Sequence, residues 1–189
     1  MNTLLTLMAS LILCISANNL WANDNSTTEP QSTTCANCHG AKGNNQDLQG
    51  PNLAGQNHLY LIKQINVFSQ GTRVHPLLSS DDFNLDTDEI NHLANYYAGM
   101  KPDDSLKQLS KDGELIYSTC ADCHGATGEG IAPFPRLRGQ KPAYLKQQLV
   151  NFKTGVRQNA VMQAMSVNLS DEEIKLLAEN LGSQAHLMQ

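Results

Sequence analysis

Cys35-Ala36-Asn37-Cys38-His39 and Cys120-Ala121-Asp122-Cys123-His124 are two copies of one motif, and the rest of this 189-residue chain is arranged around them. Cys-x-x-Cys-His is the sequence to which a c-type haem is covalently attached. Two thiols three residues apart lie on one side of a helical turn, where both can add to the vinyl groups of one haem. The adjacent histidine then reaches under the iron as the proximal ligand. The sequence therefore predicts two covalently bound haem c groups, with His39 and His124 on the irons.

Other uses of paired cysteines fit these motifs less well. A structural zinc site needs two Cys-x-x-Cys pairs brought together, or histidines at a set spacing. A thioredoxin-like redox pair needs a preceding strand, and neither motif follows a strand-like run. We therefore interpret both motifs as haem attachment sites.

The chain also contains an internal repeat. Beyond the haem motifs, matching residues are 84 positions apart. A Pro-x-Leu-x-Gly-Gln motif occurs at 51–56 and 135–140, and a Gly-x-Arg motif occurs at 71–73 and 155–157. A fixed period of this quality indicates duplicated domains.

Each repeat has the pattern of helices joined by loops that glycine and proline mark. In the first repeat the predicted apolar face consists of Leu59, Ile62, Ile65 and Phe68. In the second, an amphipathic helix over 106–117 leads into Cys120, and nothing comparable precedes Cys35. Asp86 or Thr87 in one repeat, and Ser170 in the other, are candidate N-caps.

No strand pattern of useful length is present, so the predicted fold class is all-α, with two tandem domains each wrapped around a haem. The predicted segments are a signal peptide (1–22), a flexible lead-in (23–34), a first domain (35–100), a linker (101–110) and a second domain (111–189).

The assignment of residues 1–22 depends on composition. Residues 4–15 form a mainly apolar run without a charged side chain. This run is shorter than a membrane-spanning helix needs. Haem attachment to such motifs takes place outside the bacterial cytoplasm, so a cleaved signal peptide agrees with the motifs. We expect the mature protein in the periplasm; an uncleaved anchor is the alternative.

The formal charge of −5 is unevenly distributed. Residues 23–104 contain four Lys/Arg against ten Asp/Glu, a balance of −6, whereas residues 105–189 contain nine against eight, a balance of +1. This distribution argues against nucleic-acid binding, which needs a basic face. One interpretation is that the two halves present different electrostatic potentials to different redox partners. The other is that the acidic residues form only a solvated loop and helix start in the first domain.

Each iron needs a further axial ligand, which sets its potential and function. In the second repeat, Met162 and Met165 lie in a predicted loop after the Gly-x-Arg motif, and we prefer Met162 as the ligand. The residues 84 positions earlier, in the first repeat, are Leu78 and Asp81, and neither side chain has a thioether.

His75 is the candidate substitute in the first repeat. It lies three residues before Leu78 in the same loop, and its counterpart in the second repeat is Asn159. Bis-histidine ligation by His39 and His75 is one hypothesis, and a five-coordinate or water-bound iron is another. The remaining alternatives are a different ligand to this iron, or a solvent-exposed His75 that has no role. A histidine in place of methionine lowers the reduction potential, so two unequal haems are expected.

The paired haem motifs, each followed by Pro-x-Leu-x-Gly-Gln and Gly-x-Arg, resemble the dihaem cytochrome c4 family over nearly all of the mature chain. The resemblance implies two class I cytochrome c domains with adjacent haems and His/Met ligation, from which the first repeat departs. It also implies that the carbonyls of Pro51 and Pro135 hold the proximal imidazoles. Leu53 and Leu137 would pack on the haem faces.

Two classes of function follow. The first is a periplasmic, monomeric electron carrier of respiration that takes electrons from a quinol-oxidising donor and delivers them to a terminal oxidase or reductase. It would contact membranes only through its redox partners, and the sequence contains no catalytic dyad, activated nucleophile or phosphate loop. The alternative is a catalytic dihaem protein, a peroxidase or a sulfur-oxyanion oxidoreductase, with an open or weakly ligated first haem.

Overall fold

The computed structural model describes residues 33–44, 50–75, 77–102 and 109–182. The predicted signal peptide and nearly all of the lead-in lie outside these residues, as do positions 103–108 of the predicted linker. None of the helices within the described ranges is both long and apolar enough to cross a membrane.

The described residues form α-helices and one short 3-10 helix. The α-helices are α1 (Thr33–His39), α2 (His58–Ser69), α3 (Thr87–Gly99), α4 (Lys111–His124), α5 (Pro142–Lys153), α6 (Ala160–Ser166) and α7 (Asp171–Leu181), and the 3-10 helix spans Ser80–Phe83. Apart from two isolated bridges, no β-structure occurs in these ranges. The all-α prediction is confirmed.

Each domain has a small core of its own. In the first domain α2 packs on α3, and in the second α5 and α4 both pack on α7. The buried side chains are Leu61, Leu93, Ala94, Tyr96 and Tyr97 in the first core, and Tyr117, Leu145, Leu177, Ala178 and Leu181 in the second. Cores of this size are marginal for domains of this length, so a bound haem would add much of the buried apolar surface.

The last helix of each domain, α3 or α7, begins at a residue that the sequence predicts as an N-cap. The carboxylate of Asp86 accepts from the backbone N–H of Glu89, whose own carboxylate accepts from the N–H of Asp86. Ser170 and Glu173 form the same reciprocal pair at the start of α7. Both capping boxes satisfy backbone donors that the first helical turn leaves unpaired.

Two predictions about the helices differ from the structure: which face of α2 is buried, and where the helix that leads into Cys120 begins. Leu61 is the buried residue of α2, whereas Leu59 is 52% exposed. The helix that leads into Cys120 begins only at Lys111, because the Ser110 hydroxyl accepts from the N–H of Gly113 and caps it there. Leu109 precedes this helix but packs against the second core.

The two domains meet through a reciprocal pair of glutamine contacts. The amide of Gln140 donates to the carbonyl of Asn52 (2.9 Å) and accepts from its N–H (2.8 Å). The amide of Gln56 makes the same two bonds with Arg136, at 2.9 and 2.7 Å. Each pair is the other shifted by 84 positions, so the repeat generates an interface with pseudo-twofold symmetry.

A second reciprocal set joins α2 and α5. The guanidinium of Arg73 donates to Gln64 of its own domain (2.6 Å) and to Tyr144 and Gln148 of the other domain (both 3.1 Å). The Arg157 guanidinium repeats the pattern with Gln148 (2.8 Å), Tyr60 (2.9 Å) and Gln64 (2.8 Å). Both Gly-x-Arg motifs therefore fasten the domains together.

Replacing Gln140 with alanine tests the glutamine contact. The change removes both bonds to Asn52 and leaves buried backbone groups unpaired, which costs about 1–3 kcal/mol. We expect chemical unfolding of the holoprotein to show a loss of this size. The matched control is Gln147→Ala on the exposed side of α5. A loss no larger for Gln140→Ala than for this control would contradict the assigned role.

Candidate haem-binding sites

The second haem motif forms the last turn of α4. Cys120 and Cys123 are three residues apart on this helix and half-buried, while His124 is buried. Gly125 ends the helix with a φ of 84°, a conformation that favours glycine. None of the four motif cysteines forms a disulfide within the described residues. The two thiols therefore remain available for covalent attachment beside a fixed histidine.

Both proximal histidines are held by a proline carbonyl. Nδ1 of His39 lies 2.7 Å from the carbonyl oxygen of Pro51, and Nδ1 of His124 lies 2.9 Å from that of Pro135. Because a carbonyl only accepts, each Nδ1 carries the proton and donates, which leaves Nε2 as the atom with a lone pair. The structure thus contains the two contacts that the family resemblance implied for Pro51 and Pro135.

The protonation state of these histidines suits iron binding. Burial lowers the pKa of His39 and of His124, because the charged imidazolium loses solvation, while the hydrogen bonds to Pro51 and Pro135 oppose this shift. A neutral imidazole with its proton on Nδ1 is the form that binds iron. The donor set at both motifs therefore fits a covalently attached haem.

Gly50 is a feature of the first site that sequence reasoning missed. A Cβ atom at this position would lie 2.6 Å from the carbonyl oxygen of Cys38 and 2.9 Å from Nδ1 of His39. Its counterpart in the second repeat is Phe134, whose ring packs edge-on to His124 with centroids 6.3 Å apart. Position 50 therefore requires glycine because the chain passes directly over the histidine.

The backbone N–H groups of Leu53 and Leu137 hold the loop that follows each haem motif. Both are half-buried and pack against the core of their own domain. Each N–H donates over 2.8 Å to the carbonyl of a glycine in the loop after the haem motif, Gly43 or Gly128. Their predicted packing on the haem faces stays a prediction.

Met162 lies on α6, not in the predicted loop. Asn159 starts this helix, because its side-chain oxygen accepts from the N–H of Met162 over 2.9 Å. Met162 is half-buried, whereas Met165 is 41% exposed. The ligand role of Met162 stays a prediction, with its backbone fixed by the cap.

His75 lies in an exposed turn of the first domain. Its Nδ1 accepts from the N–H of Leu77 (3.2 Å), and its carbonyl accepts from the N–H of Leu78 (3.1 Å). The charge of His75 is one of the causes that lower the pKa of His39, after burial and the charge of Lys141.

The cavity beside this turn has a volume of about 150 Å³. Phe68, Arg73 and Leu78 contribute to its walls. Arg73 is not available to a ligand there, since its guanidinium makes the three interface bonds described above and also lies 4.5 Å from the centroid of the Phe68 ring. Among the described residues that line this cavity, the arginine is therefore already engaged at the domain interface.

Comparisons with known proteins agree with these features. The family model for cytochrome c matches residues 110–184. Cytochrome c4 of Pseudomonas aeruginosa is 30% identical, with 91% of this chain and 95% of that protein covered. The solved cytochrome c4 structure of Acidithiobacillus ferrooxidans is 31% identical and has a TM-score of 0.72, with 80% of this chain and 99% of that one covered.

A relative with a more specific name is also similar. The thiosulfate dehydrogenase electron acceptor of Thiomonas intermedia is 29% identical, with 82% of this chain and 80% of that protein covered. Its name describes a protein that receives electrons from another redox protein.

A Gly50→Ala variant tests the close approach to His39. The added methyl must displace backbone, which typically costs about 1–3 kcal/mol. We expect a lower melting temperature for the holoprotein and an altered optical spectrum of one haem only. The control is Gly99→Ala on α3, where an added Cβ would meet nothing within 4 Å. Equal behaviour of the two variants would refute the packing argument.

Proposed function

The chain belongs to the dihaem cytochrome c4 family, and on that premise we propose that it is a periplasmic electron carrier of respiration. As a member of that family it carries two covalently bound haem c groups, each of which supplies an iron that gains or loses one electron. We infer that Cys35, Cys38 and His39 hold the first haem. The second would be held by Cys120, Cys123, His124 and Met162.

The observation that carries this proposal is the pair of histidine–proline hydrogen bonds, one at each motif. Each bond fixes an imidazole in one tautomer and orientation, and burial keeps it neutral. A ligand that is fixed in this way does not have to rearrange when its iron changes oxidation state. The reciprocal interface holds the two sites in one arrangement, as a carrier with two redox centres requires.

We propose His75 as the distal ligand of the first haem. Neither Leu78 nor Asp81 has a thioether, whereas His75 has an imidazole and lies in the same turn as Leu78, whose N–H donates to the His75 carbonyl. To bind iron through Nε2, the neutral ring would have to carry its proton on Nδ1, so the contact in which Nδ1 accepts from the N–H of Leu77 would have to break. Because the turn around His75 is exposed, a change of its backbone costs little packing.

The alternative function, a catalytic first haem, has one observation in its favour. A cavity of about 150 Å³ adjoins the turn in which a thioether is missing. Peroxide is small enough to enter such a space. A sulfur oxyanion would need a cation, and the nearby Arg73 is committed to the domain interface. We therefore favour the carrier.

Partner recognition would rely on charge. Among the first-domain residues that the structure describes, the exposed acidic ones are Asp81, Asp82, Asp86, Asp88 and Glu89. Together with the balance of −6 in that half of the sequence, they would steer a partner with a basic face into a brief encounter. The donor would be a quinol-oxidising complex or, as the name of the Thiomonas relative suggests, a periplasmic dehydrogenase. A terminal oxidase or reductase would be the acceptor.

Spectroscopy of the holoprotein tests the proposed ligands. Oxidised protein should give two low-spin EPR signals, one of bis-imidazole type, and reduced protein should take up no carbon monoxide. In a His75→Ala variant, we expect the bis-imidazole signal to be replaced by a high-spin signal. The reduced variant should bind about one carbon monoxide per chain, because one axial position is then open.

The control is His92→Ala, which removes a different histidine of the first domain, a half-buried one on α3. It should leave both signals unchanged. A high-spin signal and one equivalent of carbon monoxide uptake in the unmodified protein would overturn His75 ligation. That result would instead support the catalytic alternative.

A further inference from the structure

The peptide group that holds His39 is bonded at its other end to the second domain. The carbonyl of Pro51 accepts from Nδ1 of His39 over 2.7 Å. The N–H of the same peptide group, which belongs to Asn52, donates over 2.8 Å to Oε1 of Gln140. A single peptide group therefore lies between the proximal histidine of one domain and a glutamine of the other.

The second haem site has the same arrangement in reverse. The carbonyl of Pro135 accepts from Nδ1 of His124 over 2.9 Å, and the N–H of Arg136 donates over 2.7 Å to Oε1 of Gln56. Each domain thus supplies the glutamine that contacts the histidine-holding peptide group of the other.

Both glutamine side chains are buried and fixed. Gln56 and Gln140 are each only 6% exposed. The Oε1 atom of each also accepts from the N–H of the next residue, Asn57 over 2.8 Å or Lys141 over 2.9 Å. Each Nε2 donates across the interface over 2.9 Å. Neither side chain can turn away without leaving buried polar groups unpaired, which is costly.

This geometry couples each glutamine to the electronic state of a proximal imidazole. In a chain of hydrogen bonds, each bond polarises the next. When the peptide N–H donates to the glutamine oxygen, electron density moves to the carbonyl oxygen, which becomes a better acceptor for Nδ1–H. A stronger bond from Nδ1–H raises the basicity of Nε2 as a ligand. A more basic ligand stabilises ferric iron and lowers the reduction potential.

We propose that Gln140 and Gln56 are positioning residues, each of which lowers the reduction potential of the haem in the other domain. Gln140 acts on the first haem through the peptide group that holds His39. Gln56 acts on the second haem through the peptide group that holds His124. This inference rests on the proposed dihaem function. Contact between the domains therefore contributes to both potentials, and its loss raises both.

The test replaces each glutamine with methionine, which has a similar length but no amide oxygen, and titrates the holoprotein potentiometrically. Gln140→Met should shift the ferric/ferrous equilibrium of the first haem about threefold toward ferrous, which corresponds to about 28 mV for one electron. The shift is modest because cooperative strengthening is roughly 10–30% per bond. The second haem should move less than half as far. Gln56→Met should show the reverse.

NMR of the reduced holoprotein gives a second readout. The ring N–H resonance of each proximal histidine is identified by its contact with Pro51 or Pro135, and it moves upfield when its hydrogen bond weakens. Gln140→Met should move the resonance of His39 and leave that of His124 in place. The same resonances, recorded during the titration, identify which haem is being reduced.

The crossed result separates this role from a merely structural one, because a loosened interface would move both haems in both variants. Gln147→Met removes an exposed glutamine of α5 and should move neither potential. Since the two variants probe different haems, either of them decides the matter if the other fails to fold. An unchanged first haem in Gln140→Met, or equal movement of both haems, would overturn the proposal.

The proposed function has a separate readout. Two haems per chain, both reversibly reduced, show that the carrier assignment holds even when the glutamine variants leave the potentials unchanged. Failure to find two redox-active haems would instead refute the proposed function itself.

Discussion

The reciprocal contact between Gln56 and Arg136, and between Gln140 and Asn52, is the constraint on which the rest of this structure depends. Asn52 and Arg136 each follow the proline that holds a proximal histidine, so the interface acts on the same strips of backbone as the haem sites. A displacement of one domain against the other would therefore strain both sites. Because the two domains are repeats of one unit, the same self-complementary surface provides both sides of the interface.

The glutamine and arginine hydrogen bonds of the interface are repeated in both domains, but some residues at corresponding positions differ in charge or in their ability to bind iron. His75 corresponds to Asn159 in the second repeat, and Lys141 corresponds to Asn57 in the first. The difference at position 75 concerns the first haem, because a histidine ligand at the iron would lower its reduction potential. The two haems would thus differ in potential while the scaffold around them stays the same.

The sequence was sufficient for the features that depend on local chemistry. The all-α fold and the caps at Asp86 and Ser170 follow from short-range patterns, and the structure agrees with them. It was insufficient where contacts are distant in the chain. Helical periodicity did not show that Leu61 is buried and Leu59 exposed, because the packed face depends on the partner helix. Gly50 and the glutamine contacts connect segments that only the fold brings together.

Spectroelectrochemical titration of the unmodified holoprotein, followed by optical and EPR signals together, tests the central claim most directly. The account predicts two separate one-electron waves in one rigid molecule. The wave at lower potential should coincide with the loss of the bis-imidazole EPR signal, because that signal belongs to the first haem. A single two-electron wave, or a bis-imidazole signal that disappears with the wave at higher potential, would contradict the account.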